Sequence, residues 1–589
     1  MLFFRARSFV SFLNKRSLHS SLVSTFKTIA FTMSSSFPGQ GPISHDTFSS
    51  LERKAYKMLA SKTSALDKYI FLASIRNSNP DLFFSIVLDN LTEIAPIIYT
   101  PTIGDVCLKY SDIYPFISDF GKPNGLYITL EHLENIDTVL ENYKQKFCQG
   151  EYSPEISVIT DGSRILGLGD LGLNGMGIPI GKLQLYIAGA GLNPKKCLPI
   201  ILDFGTNNKK YLDDPDYLGL RQPRLKEDEY FADIEIVLVA LKKAFPNMFI
   251  QFEDFSTSHA IQILEKYRNK ILSFNDDIQG TGSVITAGFI NAVRLSKTKL
   301  PDHRILFSGA GSAAVGVAQN LIDYFVIIEG VPAEHAKKMF WFIDSKGLIT
   351  TDRGDKLAPH KVAFARSDNN GVQYKTLEET LEYVKPTALI GLSTVKDQFS
   401  PEIISRMTEM NPHNKPIIFA LSNPMSKAEC SFESAMVNSK YQVIYASGTE
   451  FPPFTIPETG EVRLPDQGNN MYIFPAIGLA AVLSKPKMIT DSMIHSISKS
   501  LSDSLNQEET DAHHLYPNLK RLREVSANLT AAMIHQAVIE GQVSDQFWID
   551  MTASDPEAKN HWNPEKPDGY CSPKVVDYVS KKMWKPTRN

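Results

Sequence analysis

A strand that runs into G-x-G-x-x-A can fold in few ways, and residues 304–314 read Arg-Ile-Leu-Phe-Ser-Gly-Ala-Gly-Ser-Ala-Ala. Gly309 permits a tight turn and Gly311, after Ala310, lets backbone approach a pyrophosphate. Ala314 lets the next helix pack close on the strand. That helix is rich in small residues (Ala314, Gly316, Ala318), and its free N–H groups would face phosphates. Such a unit needs a parallel sheet with helices on both faces. The flanking sequence supplies one: RILFSG, MFWFID, TALIGLS, KPIIFALS and QVIYAS alternate with helical stretches from Arg304 onward. The second of these strands ends at Asp344, where an acid accepts from adenosine ribose hydroxyls, as NAD requires. Ser345, Lys346 and Lys361 could instead receive a 2′-phosphate, so NADP stays open beside NAD.

The same texture begins earlier. SVIT (157–160), LPIILDFG (198–205) and MFIQFEDF (248–255) read as strands, with helices over 181–190 and 227–244 between them. Ahead of them, Leu51, Ala55, Leu59, Tyr69, Leu72, Phe83, Ile86 and Leu88 recur at helical spacing, so residues 46–90 form an all-helical opening. The expected architecture is α/β: a helical region, then two parallel-sheet domains.

With 589 residues the chain is long for one core. A formal charge of −4 supplies no field for nucleic acid or an anionic membrane. Cys107, Cys148, Cys197, Cys430 and Cys571 are odd in number and widely spaced, which fits reduced thiols rather than a disulfide or zinc framework. Residues 1–33 carry Arg5, Arg7, Lys15, Arg16 and Lys27 among many serines, and the first acid is Asp46. That composition reads as a mitochondrial transit peptide, and the charges interrupt any spanning helix. Initiation at Met33 would give a cytosolic product instead. SSSFPGQGP (34–42) reads as a linker.

Chemistry gathers in four places. Glu253-Asp254 closes one strand-like run and Asp276-Asp277 follows the next; two acidic pairs at the ends of two short segments are costly to hold together unless something positive sits between them. Three carboxylates plus water and substrate oxygens suit Mg2+ or Mn2+ better than zinc. The glycine-rich TDGSRILGLGDLGLNGMG leads to Ile180-Gly-Lys182. Arg164 offers a fork for a substrate carboxylate, and Lys182, in an apolar setting, is a candidate general base. Tyr99 stands beside a Thr-Pro turn, while Asn423 and Asn469 follow an apolar strand and a glycine. Taken singly, Tyr99 reads as packed core, Arg164 and Lys182 as surface cations, and the asparagines as turn formers.

Taken together, the set resembles the malic enzyme family, in its fungal-type, NAD(P)-dependent, oxaloacetate-decarboxylating form. The matching stretches are YTPTIG, VITDGSRILGLGDLGLNGMGIPIGK, FEDF, FNDDIQGTG, FSGAGSAAVG, FALSNP and DQGNNMYIFP, in the family's order across residues 45–589. The resemblance implies oxidative decarboxylation of L-malate to pyruvate and CO2 with reduction of NAD, or NADP. It implies Lys182 as proton acceptor oriented by Asp276, Tyr99 as proton donor, and Glu253, Asp254 and Asp277 as ligands of Mg2+ or Mn2+. Arg164, Asn423 and Asn469 would bind substrate carboxylates. Gly309, Ala310, Gly311, Ala314, Asp344, Asp277 and Asn469 would contact the nucleotide. It further implies a homodimer or homotetramer and a division into 34–120 (helical), 121–275 continued by 468–540 (catalytic), 276–467 (an inserted Rossmann-type domain) and 541–589 (an extension). Three departures stand out. His259 precedes Ala260 where the family has Asn. Lys57 and Ser85 occupy the positions of two arginines that serve fumarate activation. The sequence DSKG (344–347) resembles NADP-using members, whereas a mitochondrial address fits NAD-using ones; the reading here is NAD.

Overall fold

The helical spacing of the opening resolves into α1 (His45–Ala60), α2 (Ala65–Ser78), α3 (Pro80–Asp89), α4 (Leu91–Ile98), α5 (Thr102–Leu108) and α6 (Tyr110–Ile117). Local chemistry sets their ends: Ser64 Oγ accepts from Asp67 N–H at 3.0 Å at the start of α2, and Asn79 caps α3 with Pro80 at its first position. This computed structural model describes residues 45–118, 124–148, 153–554 and 572–588. The expected transit peptide, the linker with Met33 before it, and Cys571 lie outside them. Residues 57–586 form one compact unit.

A first sheet follows, built from β1 (Leu126–Thr129), β2 (Ile156–Thr160), β3 (Cys197–Asp203), β4 (Phe249–Phe252) and β5 (Ser273–Asn275) in the order β1-β3-β2-β4-β5, all parallel. Strands β2, β4 and β5 are buried at every position, as a sheet covered on both faces demands. Strand β1 escaped the sequence reading because four residues at a sheet edge carry too little periodicity. Between strands run α7 (Ile136–Phe147), α8 (Gly177–Ala190), α9 (Glu227–Ala244) and α10 (Thr257–Tyr267). Every residue of α8 is buried, and Lys182 is its one charge. Tyr69, Val106 and Tyr110 of the opening helices pack into one cluster with Ile178 and Ile180 of α8.

After a π-turn at Asp276–Gly280, α11 (Thr281–Ser296) leads to the second sheet. It contains β6 (Ile305–Ser308), then α12 (Ser312–Ile327), β7 (Phe340–Asp344), β8 (Gly347–Leu348), β9 (Ala388–Gly391), β10 (Ile417–Ala420), β11 (Ile444–Ser447) and β12 (Asp466–Gln467). The order is β12-β11-β10-β9-β6-β7-β8, parallel except for β8. Asp344 pairs with Gly347, so DSKG is a tight hairpin that turns the edge strand back. The order reverses between β6 and β9, the crevice where such sheets take a nucleotide. The chain then adds α13 (Phe474–Ser484), α14 (Asp491–Ser502) and α15 (Leu522–Ile539). Helix α13 returns to the first sheet: the Phe474 ring lies 4.8 Å from that of Tyr186, and a Cβ on Gly478 would come within 2.9 Å of Ile156 Cδ1. This is the α/β architecture the sequence implies. Among the described residues no helix is long and apolar enough to cross a membrane, and Cys107, Cys148, Cys197 and Cys430 are free thiols.

Two buried imidazoles set an acid limit on this fold. Burial holds His303 and His495 down to about 4, while an unfolded histidine titrates near ~6.5. Below that value the unfolded chain binds protons that the folded chain refuses, so stability is full at neutral pH and falls as pH drops through the window. Each group should remove about 2 kcal/mol between pH 7 and pH 5. Urea denaturation at both pH values checks this, and His495→Leu should remove one of the two contributions.

Candidate active site

Strands β4 and β5 are parallel neighbours with Phe252 opposite Asn275. The register therefore sets Glu253-Asp254 beside Asp276-Asp277. Asp254 N–H donates to Asp277 Oδ2 at 2.8 Å, and one oxygen from each of Glu253, Asp254 and Asp277 lies within 4.8 Å of the others. Asp254 adopts φ +54°, a left-handed conformation costing roughly 1–2 kcal/mol for a residue with a Cβ. The Leu166 N–H, 3.2 Å from Asp254 Oδ2, helps hold it there.

Lys182 enters from α8. Its Nζ donates to Asp276 Oδ2 and stands 3.0 Å from Glu253 Oε1. The rings of Phe474 and Tyr99 box it at 4.4 Å and 5.3 Å. A Cβ on Gly181 would stand 2.7 Å from Tyr99 Cδ2, so the missing side chain is what lets the ring lie on the helix. Tyr99 Oη is 3.5 Å from Glu253 Oε1.

Burial pushes Glu253, Asp254 and Asp277 above the usual carboxylate range. Lys182 lowers Glu253 and Asp277 again, and the remaining acids raise them. Burial also raises Tyr99, against the opposing pull of Lys182. For Lys182 burial works downward, but Asp276 and Glu253 outweigh it and hold the ammonium well above its ordinary value. Three acids, Glu253 and Asp254 buried and Asp277 half-buried, with one lysine at the side fit a divalent cation: the donors are all oxygen, and the cost of gathering them is what such a cation removes.

The loop carrying Arg164 rests on a second charge network. Asp161 Oδ1 accepts from Ser163 N–H at 2.9 Å and Ser163 Oγ at 2.6 Å, and Tyr230 Oη donates to Oδ2 at 2.8 Å. Arg224 grips both oxygens of Asp170 at 2.8 Å and the Asp161 carbonyl at 3.0 Å. Arg164 itself is exposed, its guanidinium 3.2 Å from Thr257 Oγ1. His259 belongs to this support and not to the acid cluster: its ring stacks on Tyr230 at 4.0 Å, with Nδ1 3.9 Å from Asp161. Ser85 is buried inside α3 and Lys57 is exposed on α1.

On the second sheet, Gly309 takes φ +106°, and a Cβ there would come within 2.6 Å of the Leu392 carbonyl; this turn requires glycine. A Cβ on Gly311 would meet nothing within 4 Å, which leaves that face open to a phosphate. Gly311 precedes α12 and no side chain caps the helix, so its first N–H groups are available to an anion. Ala310 and Ala314 are buried in the turn and the helix. Asp344 is already engaged: Arg353 donates to its two oxygens at 2.7 and 3.1 Å, and Lys361 Nζ lies at 2.8 Å. Burial works upward on Asp344, but these two cations hold it below its ordinary range.

Asn423 follows β10, and a Cβ on Gly167 would stand 3.7 Å from its carbonyl, so its loop faces the Arg164 loop. Fully buried Glu429 fixes that loop, accepting from Ser422 Oγ, from Ser422 N–H at 3.2 Å and from Ser393 N–H at 3.0 Å. Asn469 spends its side-chain oxygen on Met471 N–H at 2.9 Å. Its neighbour Asn470, set in the same glycine turn by the sequence but given no role there, reaches the site: Nδ2 donates to Asp276 Oδ2 at 3.1 Å and to Thr281 Oγ1 at 3.0 Å. Phe474, Gln251 and Tyr186 were missed as well. Only the tandem Asn in GNN offered a signal, and it does not say which asparagine turns inward.

Residues 76–268 match the family described as malic enzyme, N-terminal domain, and residues 278–538 the one described as malic enzyme, NAD binding domain. The NADP-dependent malic enzyme of Dictyostelium discoideum is 46% identical over 489 residues, covering 83% of this chain and 86% of that protein. The human NADP-dependent malic enzyme is 42% identical over 478 residues, 81% of this chain and 80% of that one. The crystal structure of the Entamoeba histolytica malic enzyme shares the fold, with a TM-score of 0.50 and 20% identity over 92% of this chain and 98% of that one. With the acid cluster, the boxed lysine and the glycine turn in one compact unit, this chain belongs to the malic enzyme family.

Proposed function

We propose that the chain oxidises L-malate at C2, transfers hydride to a nicotinamide dinucleotide, and releases CO2 and pyruvate. One observation carries the reading: buried Lys182 touches Glu253 of the three-acid cluster and Asp276 beside it, with Tyr99 packed against it. Glu253, Asp254 and Asp277 would hold Mg2+ or Mn2+, and a cation there would act as a Lewis acid on substrate oxygens. Lys182 accepts the C2 hydroxyl proton, while Asp276 and Asn470 fix its direction. To do so it must first be neutral, and the Glu253 charge that now retains its proton is one that metal binding would take up. Tyr99 returns a proton to C3 once CO2 has left. Arg164, with Asn423 and Asn469 from the facing loops, binds the carboxylates. Oxaloacetate, which shares the C4 carboxylate, would be decarboxylated at the same groups, and the working form is a homodimer or homotetramer. Purified chain given malate, Mn2+ and nucleotide should make pyruvate and reduced nucleotide in equal amounts. Reduction without pyruvate would overturn the reading.

The nucleotide we assign is NADP rather than NAD. An acid that selects NAD needs free oxygens for the ribose, and those of Asp344 are occupied by Arg353 and Lys361. With Lys346 bound to Asp355 at 3.0 Å, three cations meet two acids at this strand end, a net charge that favours a 2′-phosphate. kcat/KM should favour NADP over NAD, and Lys361→Gln should cost NADP about 10-fold or more while leaving NAD nearly unchanged. Equal losses with both nucleotides would remove Lys361 from this role.

Gly181→Ala tests the placement of Tyr99. The added methyl must push the ring away, and displacement of this order should lower kcat about 100-fold. Mn2+ affinity should stay as in the wild type. An unchanged kcat would mean that Tyr99 is not the acid.

A further inference from the structure

Glu253 is gripped at both oxygens, and the second grip is built from residues outside the reacting set. Gln251 and Glu253 are two apart along β4 and its end, so they project to the same side. Gln251 is fully buried, and its Nε2 donates to Glu253 Oε2 at 2.7 Å. Tyr186 Oη donates to Gln251 Oε1. Tyr186 lies four residues after Lys182 on α8, on the same helical face, and is itself fully buried. One helix therefore reaches both oxygens of one acid: Lys182 meets Oε1 directly at 3.0 Å, and Tyr186 reaches Oε2 through the Gln251 amide.

The direction of this relay follows from the chemistry of its members. A carboxylate only accepts, so the amide must present its NH2 to Glu253. That leaves the amide oxygen for Tyr186, whose hydroxyl is the donor it needs. A lysine or arginine at position 251 would fix the same rotamer but cancel the charge a divalent cation needs. Glutamine supplies orientation without neutralisation, the role outer hydrogen bonds commonly play behind metal ligands.

We propose that Gln251, locked by Tyr186, is a positioning residue that sets the rotamer of Glu253 for the divalent cation. The inference rests on the reading that Glu253, Asp254 and Asp277 hold that cation. The test is Mn2+ binding to the purified full chain, followed by the electron paramagnetic resonance of free Mn2+, with NADPH fluorescence as a control on the second sheet. Glu253→Gln should weaken Mn2+ binding at least about 100-fold, which establishes the ligand. Gln251→Met, similar in volume but without a donor, should weaken it about 10- to 100-fold. Tyr186→Phe leaves the amide in place but unlocked and should cost about 3- to 10-fold, and the double variant should bind no worse than Gln251→Met alone. NADPH affinity should be unchanged throughout. If Glu253→Gln binds Mn2+ like the wild type, the metal reading fails. If Glu253→Gln fails to bind while Gln251→Met and Tyr186→Phe retain wild-type affinity, the relay inference fails alone. Should Gln251→Met not fold, Tyr186→Phe decides by the same criterion.

Discussion

Lys182→Met will lower malate turnover about 10^3-fold or more while leaving nucleotide affinity intact. A positioned general base contributes on the order of 10^2–10^4 in rate. The same change has a separate cost in stability. Lys182 is the cation that meets both Glu253 and Asp276, and its removal leaves two buried carboxylates without that partner. Breaking a buried pair from one side costs about 3–5 kcal/mol. Part of this should return when Mn2+ is added, because a divalent cation on Glu253 replaces some of the lost charge. The loss of Tm should therefore be larger in EDTA than in Mn2+. Lys182→Arg separates the two effects: it keeps a cation and should recover much of the stability, but it cannot accept a proton at neutral pH and should stay inactive. Turnover within ten-fold of the wild type in either variant would take the base role from Lys182.

The strands were legible because parallel sheets bury both faces, so LPIILDFG and KPIIFALS read as near-continuous apolar runs. Strand β1, with four residues at an edge, gave no such signal. The acid pairs were visible as unusual, but what makes them a site is the alignment of Phe252 with Asn275, and register between strands is not written in either one. Asp344 shows the opposite limit. Its position at the end of β7 was correctly expected, yet its pairing with Arg353 and Lys361, which come from the segment after β8, is something only the fold reveals. The preference for NAD over NADP rested on that acid and on the mitochondrial address, and the pairing turns that preference around in our proposal. Asn469 and Asn470 mark a finer limit. Adjacent residues in a turn point in different directions, and the backbone selects Asn470 for Asp276. Gln251 and Phe474 were hidden for another reason: inside an apolar strand and an apolar helix they look like packing until Glu253 and Lys182 are seen against them.

Asp277→Asn should move stability in opposite directions with and without metal. The asparagine is nearly isosteric, and its oxygen can still accept from Asp254 N–H, now at 2.8 Å from Asp277 Oδ2, so the turn should keep its shape. What disappears is one of three gathered negative charges. Burial, and Asp276 beside it, hold the Asp277 carboxyl above its ordinary value although Lys182 pulls it down. A group raised in the folded state lends its stability at low pH and loses it as pH rises through the folded value, so at neutral pH the ionised side chain opposes folding. In EDTA the variant should therefore melt higher than the wild type. With Mn2+ the order reverses. At a concentration 100 times the wild-type Kd, bound metal contributes about 2.7 kcal/mol, and a 100-fold weaker site would gain only about 0.4 kcal/mol. Tm measured in EDTA and across an Mn2+ series gives both signs from one protein preparation. A variant that melts lower in EDTA and keeps the full Mn2+ shift would show that Asp277 is a structural carboxylate and that the cation, if it binds, does so without it.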